Sequence, residues 1–145
     1  MVALPEELLQ LKRFHGHLGP YVVIGYRMGA MARDRLQGRL HATVMTGDKP
    51  PLSCIVDGIQ FSSSCTLGKG NISIQDKREA KAHFVNEKQL LEIKLLEEVR
   101  ERIDATMSHE TEELMAVGLF NEPEEAIFSI ILVESLSRER AVKLK

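Results

Sequence analysis

The chain has 145 residues, a length expected for one compact domain that buries its own core without disulfide staples. Nineteen basic residues against twenty-one acidic ones, no Trp and only two Tyr and five Phe make no electrostatic or stacking case for nucleic acid. The longest apolar run, residues 21–31, is broken by Arg27 and is far too short for a membrane span, and the N-terminus has no secretory pattern. A reducing, cytoplasmic setting is therefore expected, with Cys54 and Cys65 as free thiols or metal ligands.

Along the chain, Pro5, Glu6 and Glu7 open a short helix that runs out at Phe14, with proline and acids where unpaired N–H groups favour them. The glycine-rich FHGHLGPY follows, and Pro20 starts a second helix reaching about Gln37, before the terminating Gly38. Gly25 and Gly29 share a face of that helix. Small residues at this spacing admit another backbone, either from within the chain or across a subunit interface. Residues 40–48 alternate and are β-branched enough for a strand. A helix is expected from Ser53, as its cap, to Phe61, ended by SSSCTLGKG. Residues 71–75 and 80–86 read as strands around a charged turn at Asp76–Glu79.

Leu91, Leu95, Val99 and Ile103 recur every four residues, so Glu87–Asp104 reads as an amphipathic helix, with Glu98 and Arg102 paired on its outer side. Short helices are expected at 109–117 and 122–126, a buried strand at Ile127–Glu134, and an exposed basic tail at Arg138–Lys145. Helices and strands do not alternate strictly. The expected class is α+β, one domain over 1–145 with a small mixed or antiparallel sheet packed by helices.

Chemistry concentrates in three places: His15-Gly16-His17, Cys54 at a helix start, and Cys65 in a glycine-rich loop. On a continuous helix, residues two apart diverge by about 200°. In the irregular segment that Gly16 and Gly19 favour, both imidazoles can face one site. A cysteine at a helix N-terminus is expected to favour thiolate. Asp57, one turn on, is placed to accept a histidine N–H. Imidazole and thiolate together suit zinc or another divalent transition metal. The alternatives are buried cysteines acting as small hydrophobes, or a Cys54–His17 nucleophile pair. His41, His83 and His109 carry no spacing signal. LGKGN is no phosphate loop, because Ser63 stands where a Walker pattern needs glycine and Gly70 follows Lys69 where it needs Ser or Thr.

Taken together, FHGHLGPYVVIGYRMG and CIVDGIQFSSSCTLGKGNI resemble the two signature blocks of the formylmethanofuran dehydrogenase E-subunit family, over roughly residues 10–86. The resemblance implies an α+β core domain, usually a homodimer, with a His/Cys cluster able to hold a metal such as zinc. His15, His17, Cys54 and Cys65 match the family's histidines and cysteines. Asp57 and Gln60 match its polar helix positions, and Gly68, Lys69 and Gly70 its closing turn. Gly19 stands where many members carry cysteine, and with only two cysteines in these 145 residues the C-terminal zinc ribbon of some members is not expected here. Two cysteines are too few for a four-thiolate cluster, so neither iron–sulfur nor pterin chemistry is expected in this chain. The resemblance implies a metal-binding accessory protein of one-carbon metabolism and methanogenesis, associated with other dehydrogenase subunits. A stand-alone metal- or cysteine-dependent enzyme is the alternative.

Overall fold

The computed structural model describes residues 3–134. It consists of α1 (Glu6–His15), α2 (Pro20–Arg35), β1 (His41–Val44), α3 (Cys54–Ser63), a single 3₁₀ turn (Leu67–Lys69), β2 (Ile72–Ile74), β3 (Lys81–Val85), β4 (Leu90–Leu95), α4 (Glu97–Thr106), α5 (Glu112–Asn121), α6 (Glu124–Ile127) and β5 (Phe128–Val133). The strands form one sheet in the order β2-β1-β3-β4-β5. β1 and β2 run parallel, and α3 lies in the crossover connection that parallel neighbours need. The other neighbours are antiparallel. The sheet is mixed and the class is α+β, as the sequence indicates.

One face of the sheet presents Ala42, Val44, Ala82, Phe84, Leu91 and Ile93, all buried, and packs against the helices. The central helical contact is α2 against α3, and glycine makes it possible. A Cβ on Gly25 would lie 2.0 Å from the Ile55 carbonyl oxygen, and one on Gly58 would lie 2.1 Å from that of Val22. Helix backbones can approach so closely only without side chains between them. Gly29 likewise faces α3, at Ser62. The small-residue face of α2 is therefore an intramolecular contact and is not available to a second copy of the chain.

Three sequence expectations change. Residues 87–104 are not one helix: Asn86 Oδ1 accepts the N–H groups of Lys88 and Gln89, closing a hairpin that delivers β4 before α4 begins. Leucines four apart also satisfy a period of two, and Leu91, Ile93 and Leu95 all point inward from a strand. Arg102 then reaches Glu122 at 3.1 Å rather than pairing along its helix with Glu98. β5 exists, but as an edge strand whose Ile131, Leu132 and Val133 are exposed, while Ile127 is buried in α6. α2 also stops at Arg35, with Gly38 left-handed in the following loop. The basic tail lies outside the described residues.

Candidate metal centre

The site begins where α1 stops. Gly16 adopts φ 101°, its N–H bonded to the Lys12 carbonyl, and turns the chain out of the helix. His15 is the last helical residue and His17 the first beyond the turn. The reversal brings the two imidazole centroids to 4.6 Å. Cys54 opens α3 beside them. One donor atom each from His15, His17 and Cys54 lies within 4.8 Å of the other two.

His15 is the best defined of the three. Its Nδ1 lies 2.7 Å from Asp57 Oδ2, and the other Asp57 oxygen accepts from the Gln60 amide at 3.4 Å. The Gln60 carbonyl in turn accepts the Leu67 N–H at 2.9 Å, so the pair is anchored to the loop that follows α3. A carboxylate on Nδ1 selects the tautomer with its proton there and leaves Nε2 as a lone pair. That Nε2 is buried and, among the described residues, is the one buried side-chain nitrogen or oxygen without a hydrogen-bond partner. An unsatisfied buried acceptor beside two further donors fits a cation.

The thiol of Cys54 differs from the sequence expectation. Burial, followed by the charges of Asp57 and Glu112, pushes its pKa up, overriding the helix terminus. Ser53 offers no side-chain cap; Cys54 N–H bonds instead to the Pro51 carbonyl in the preceding turn. A thiol in this setting stays protonated until a positive charge arrives, which suits a metal ligand and disfavours a free thiolate nucleophile.

Glu112, in the first turn of α5, was not legible as a site residue. Its Oε1 stands 3.4 Å from His17 Nδ1. Acids at a helix start are too common to single it out. With His17, Tyr21, Pro51, Cys54 and Met107 it lines a cavity of about 230 Å³. Behind the cavity, the Tyr21 hydroxyl donates to Asp104 at 2.5 Å; burial first, then this contact, raises the tyrosine pKa far above its usual value.

Cys65 and Lys69 are not gathered here. Cys65 follows the other end of α3 and is fully buried; its Sγ points to the Leu40 carbonyl at 3.6 Å and its N–H bonds to Ser63 Oγ at 3.0 Å. Burial raises its pKa as well, opposed by Ser63 and Lys69. His41 meets Ser73 at 3.1 Å and His83 meets Glu92 at 2.8 Å, both on the sheet and away from the cluster.

The fold and the His/Cys cluster together define a small α+β protein with a candidate metal centre at a helix–turn–helix junction. Residues 14–136 match the family described as FmdE, molybdenum formylmethanofuran dehydrogenase operon, and the chain belongs to that family. A crystal structure of an FmdE-like protein of the tungsten formylmethanofuran dehydrogenase type, from Syntrophus aciditrophicus, superposes with a TM-score of 0.68 at 19% identity, covering 94% of this chain and 78% of that one. That likeness confirms the fold. A probable S-adenosyl-L-methionine-binding protein of Archaeoglobus fulgidus is 33% identical over 78 residues, 50% of this chain. Those residues span only 21% of that relative. No helix among the described residues is long and apolar enough to cross a membrane.

Proposed function

We propose that the protein binds one divalent transition-metal ion, zinc being the best fit, through His15, His17 and Cys54. The observation that carries this reading is the buried, unpartnered Nε2 of His15, held in place by Asp57 on the opposite ring nitrogen. Two imidazoles and one thiolate are the borderline-soft donors that zinc takes. A bound divalent ion would supply the positive charge that stabilises the Cys54 thiolate. Asp57 and Gln60 belong to the site as the groups that orient His15. Cys65 and Lys69, at the far end of α3, are structural in this reading.

The family supports a role beside formylmethanofuran dehydrogenase in one-carbon metabolism, as an accessory protein in the cytoplasm. A homodimer is part of the same proposal, with the edge strand β5, exposed among the described residues, rather than α2 as the contact surface. One observation favours a second reading, a stand-alone enzyme acting on a small molecule: the cavity that opens beside His17 and Cys54.

Elemental analysis of untagged protein tests the metal reading. About one equivalent per chain in the wild type, lost in His15→Ala with the fold retained by circular dichroism, is expected. Metal-free wild-type protein that also refuses added zinc would contradict it.

A further inference from the structure

Three donors leave a four-coordinate ion one position short, and a second carboxylate stands at the open side. Resting on the metal reading above, we infer that Glu112 is the fourth protein ligand, so that the centre closes as two histidines, one cysteine and one glutamate contributed by three separate segments.

Three observations converge. Glu112 Oε1 lies 3.4 Å from His17 Nδ1 without forming a hydrogen bond to it. That separation equals the spacing of two ligand atoms on one ion: bonds of about 2.0–2.1 Å in a tetrahedron set neighbouring nitrogen and oxygen about 3.3–3.4 Å apart. The second oxygen of Glu112, Oε2, covers Gly19, 3.5 Å from where a Cβ at that position would lie. Finally, Glu112 is mostly shielded, with a side-chain exposure of 20%, and lines the same cavity as His17 and Cys54.

Glu112 stands beside the three-donor cluster rather than within it. Closure therefore requires a side-chain movement from the first turn of α5, a helix otherwise tied to α1 through Lys12 and Glu113 at 2.8 Å. The bound ion would thus couple α1, α3 and α5. A carboxylate in the fourth position makes the site harder than a two-thiolate one and leaves no protein-free coordination position for a substrate.

Position 19 provides an internal control. Gly19 is extended, φ −131° and ψ 175°, a conformation open to any residue. The atoms nearest a Cβ there, Glu112 Oε2 at 3.5 Å and the His17 ring at 3.7 and 3.8 Å, make ordinary contacts. A cysteine placed at 19 can therefore present its sulfur to the space Glu112 fills.

The test is zinc affinity by chelator competition, with Co²⁺ absorption as a second readout, on wild type, Glu112→Gln, Glu112→Ala, Asp57→Asn and the Gly19→Cys/Glu112→Ala double variant. Loss of an outer hydrogen-bond partner costs about 10–100-fold in metal affinity, the range expected for Asp57→Asn. The Glu112 variants should fall beyond it, by more than about 100-fold, and the double variant should recover affinity with added thiolate-to-cobalt absorption. Glu112→Gln keeps the shape of the side chain, so a folding defect confined to Glu112→Ala would not obscure the result. Glu112 variants that bind zinc within about 100-fold of wild type would overturn the inference while leaving the metal reading intact. Wild-type protein that binds neither zinc nor cobalt would overturn both.

Discussion

The two cysteines sit at opposite ends of one helix and have opposite surroundings. Cys54, at the start of α3, is half-buried among His15, His17, Asp57 and Glu112, and its neighbours supply lone pairs and negative charge. Cys65, just past the end of α3, is enclosed, with Ser63 on its amide and the Leu40 carbonyl beside its sulfur. Both thiols are pushed up in pKa, mainly by burial. What separates them is what is left unsatisfied nearby: beside Cys54 an orphaned imidazole nitrogen, beside Cys65 a closed set of hydrogen bonds. A cysteine's part in a metal site is thus decided by its neighbours' unmet valence rather than by its own burial.

Breaking the helix that carries both ends should have the largest effect. Gly58→Ala would drive a Cβ to within 2.1 Å of the Val22 carbonyl and 2.4 Å of the Tyr26 amide. No flexible side-chain end can yield there, so we expect a loss of more than about 3 kcal/mol in urea unfolding, above the usual range for overpacking. The cluster and the Cys65 corner should be lost together. A variant that unfolds like the wild type would show that α3 is not seated as described.

Asp57→Asn sharpens the comparison at the Cys54 end. Removing the carboxylate that orients His15 should weaken zinc binding about 10–100-fold, equivalent to about 1.4–2.8 kcal/mol, by chelator competition. At the other end, Cys65→Ala should cost about 1–2 kcal/mol of stability through a small cavity and leave metal stoichiometry unchanged. Equal loss of metal in Cys65→Ala would erase the distinction between the two ends.

The smallest effect concerns the wall of the cavity. Tyr21→Phe removes the hydroxyl donated to Asp104, a half-exposed acceptor, and should cost about 1 kcal/mol at pH 7. The sign of its pH dependence follows from the raised tyrosine pKa. The native state holds this proton more tightly than the unfolded chain, so the contribution is complete below the ordinary tyrosine value of 10.0 and disappears as pH rises above it. Wild type and Tyr21→Phe should therefore converge in stability above pH 10. A gap that persists or widens there would contradict the assignment.

Much of this was legible in the sequence, for identifiable reasons. Local signals located α1, α2 and α3 through an opening proline, glycine-rich breaks and apolar spacing, although α2 ends before its expected limit and Ser53 does not cap α3. That Asp57 would accept a histidine N–H also follows from residue types, since a histidine ligand wants a carboxylate on its other nitrogen, but only the fold shows that the histidine is His15. Residues 87–104 misled because regularly spaced leucines satisfy both periods, and only the pairing of β4 with β3 and β5 decides between them. Cys65 looked equivalent to Cys54 because a motif places residues in order along the chain but says nothing of the side of the helix to which each returns. Glu112 lay beyond reach, brought to His17 by the packing of a helix about a hundred residues away.

The central claim is that the metal belongs to the Cys54 end alone, and Co²⁺ titration of wild type, Cys54→Ser and Cys65→Ser tests it most directly. Thiolate-to-cobalt absorption saturating at one equivalent, absent in Cys54→Ser and unchanged in Cys65→Ser, is the expected result. Absorption that survives in Cys54→Ser, or vanishes in a folded Cys65→Ser, would contradict the account.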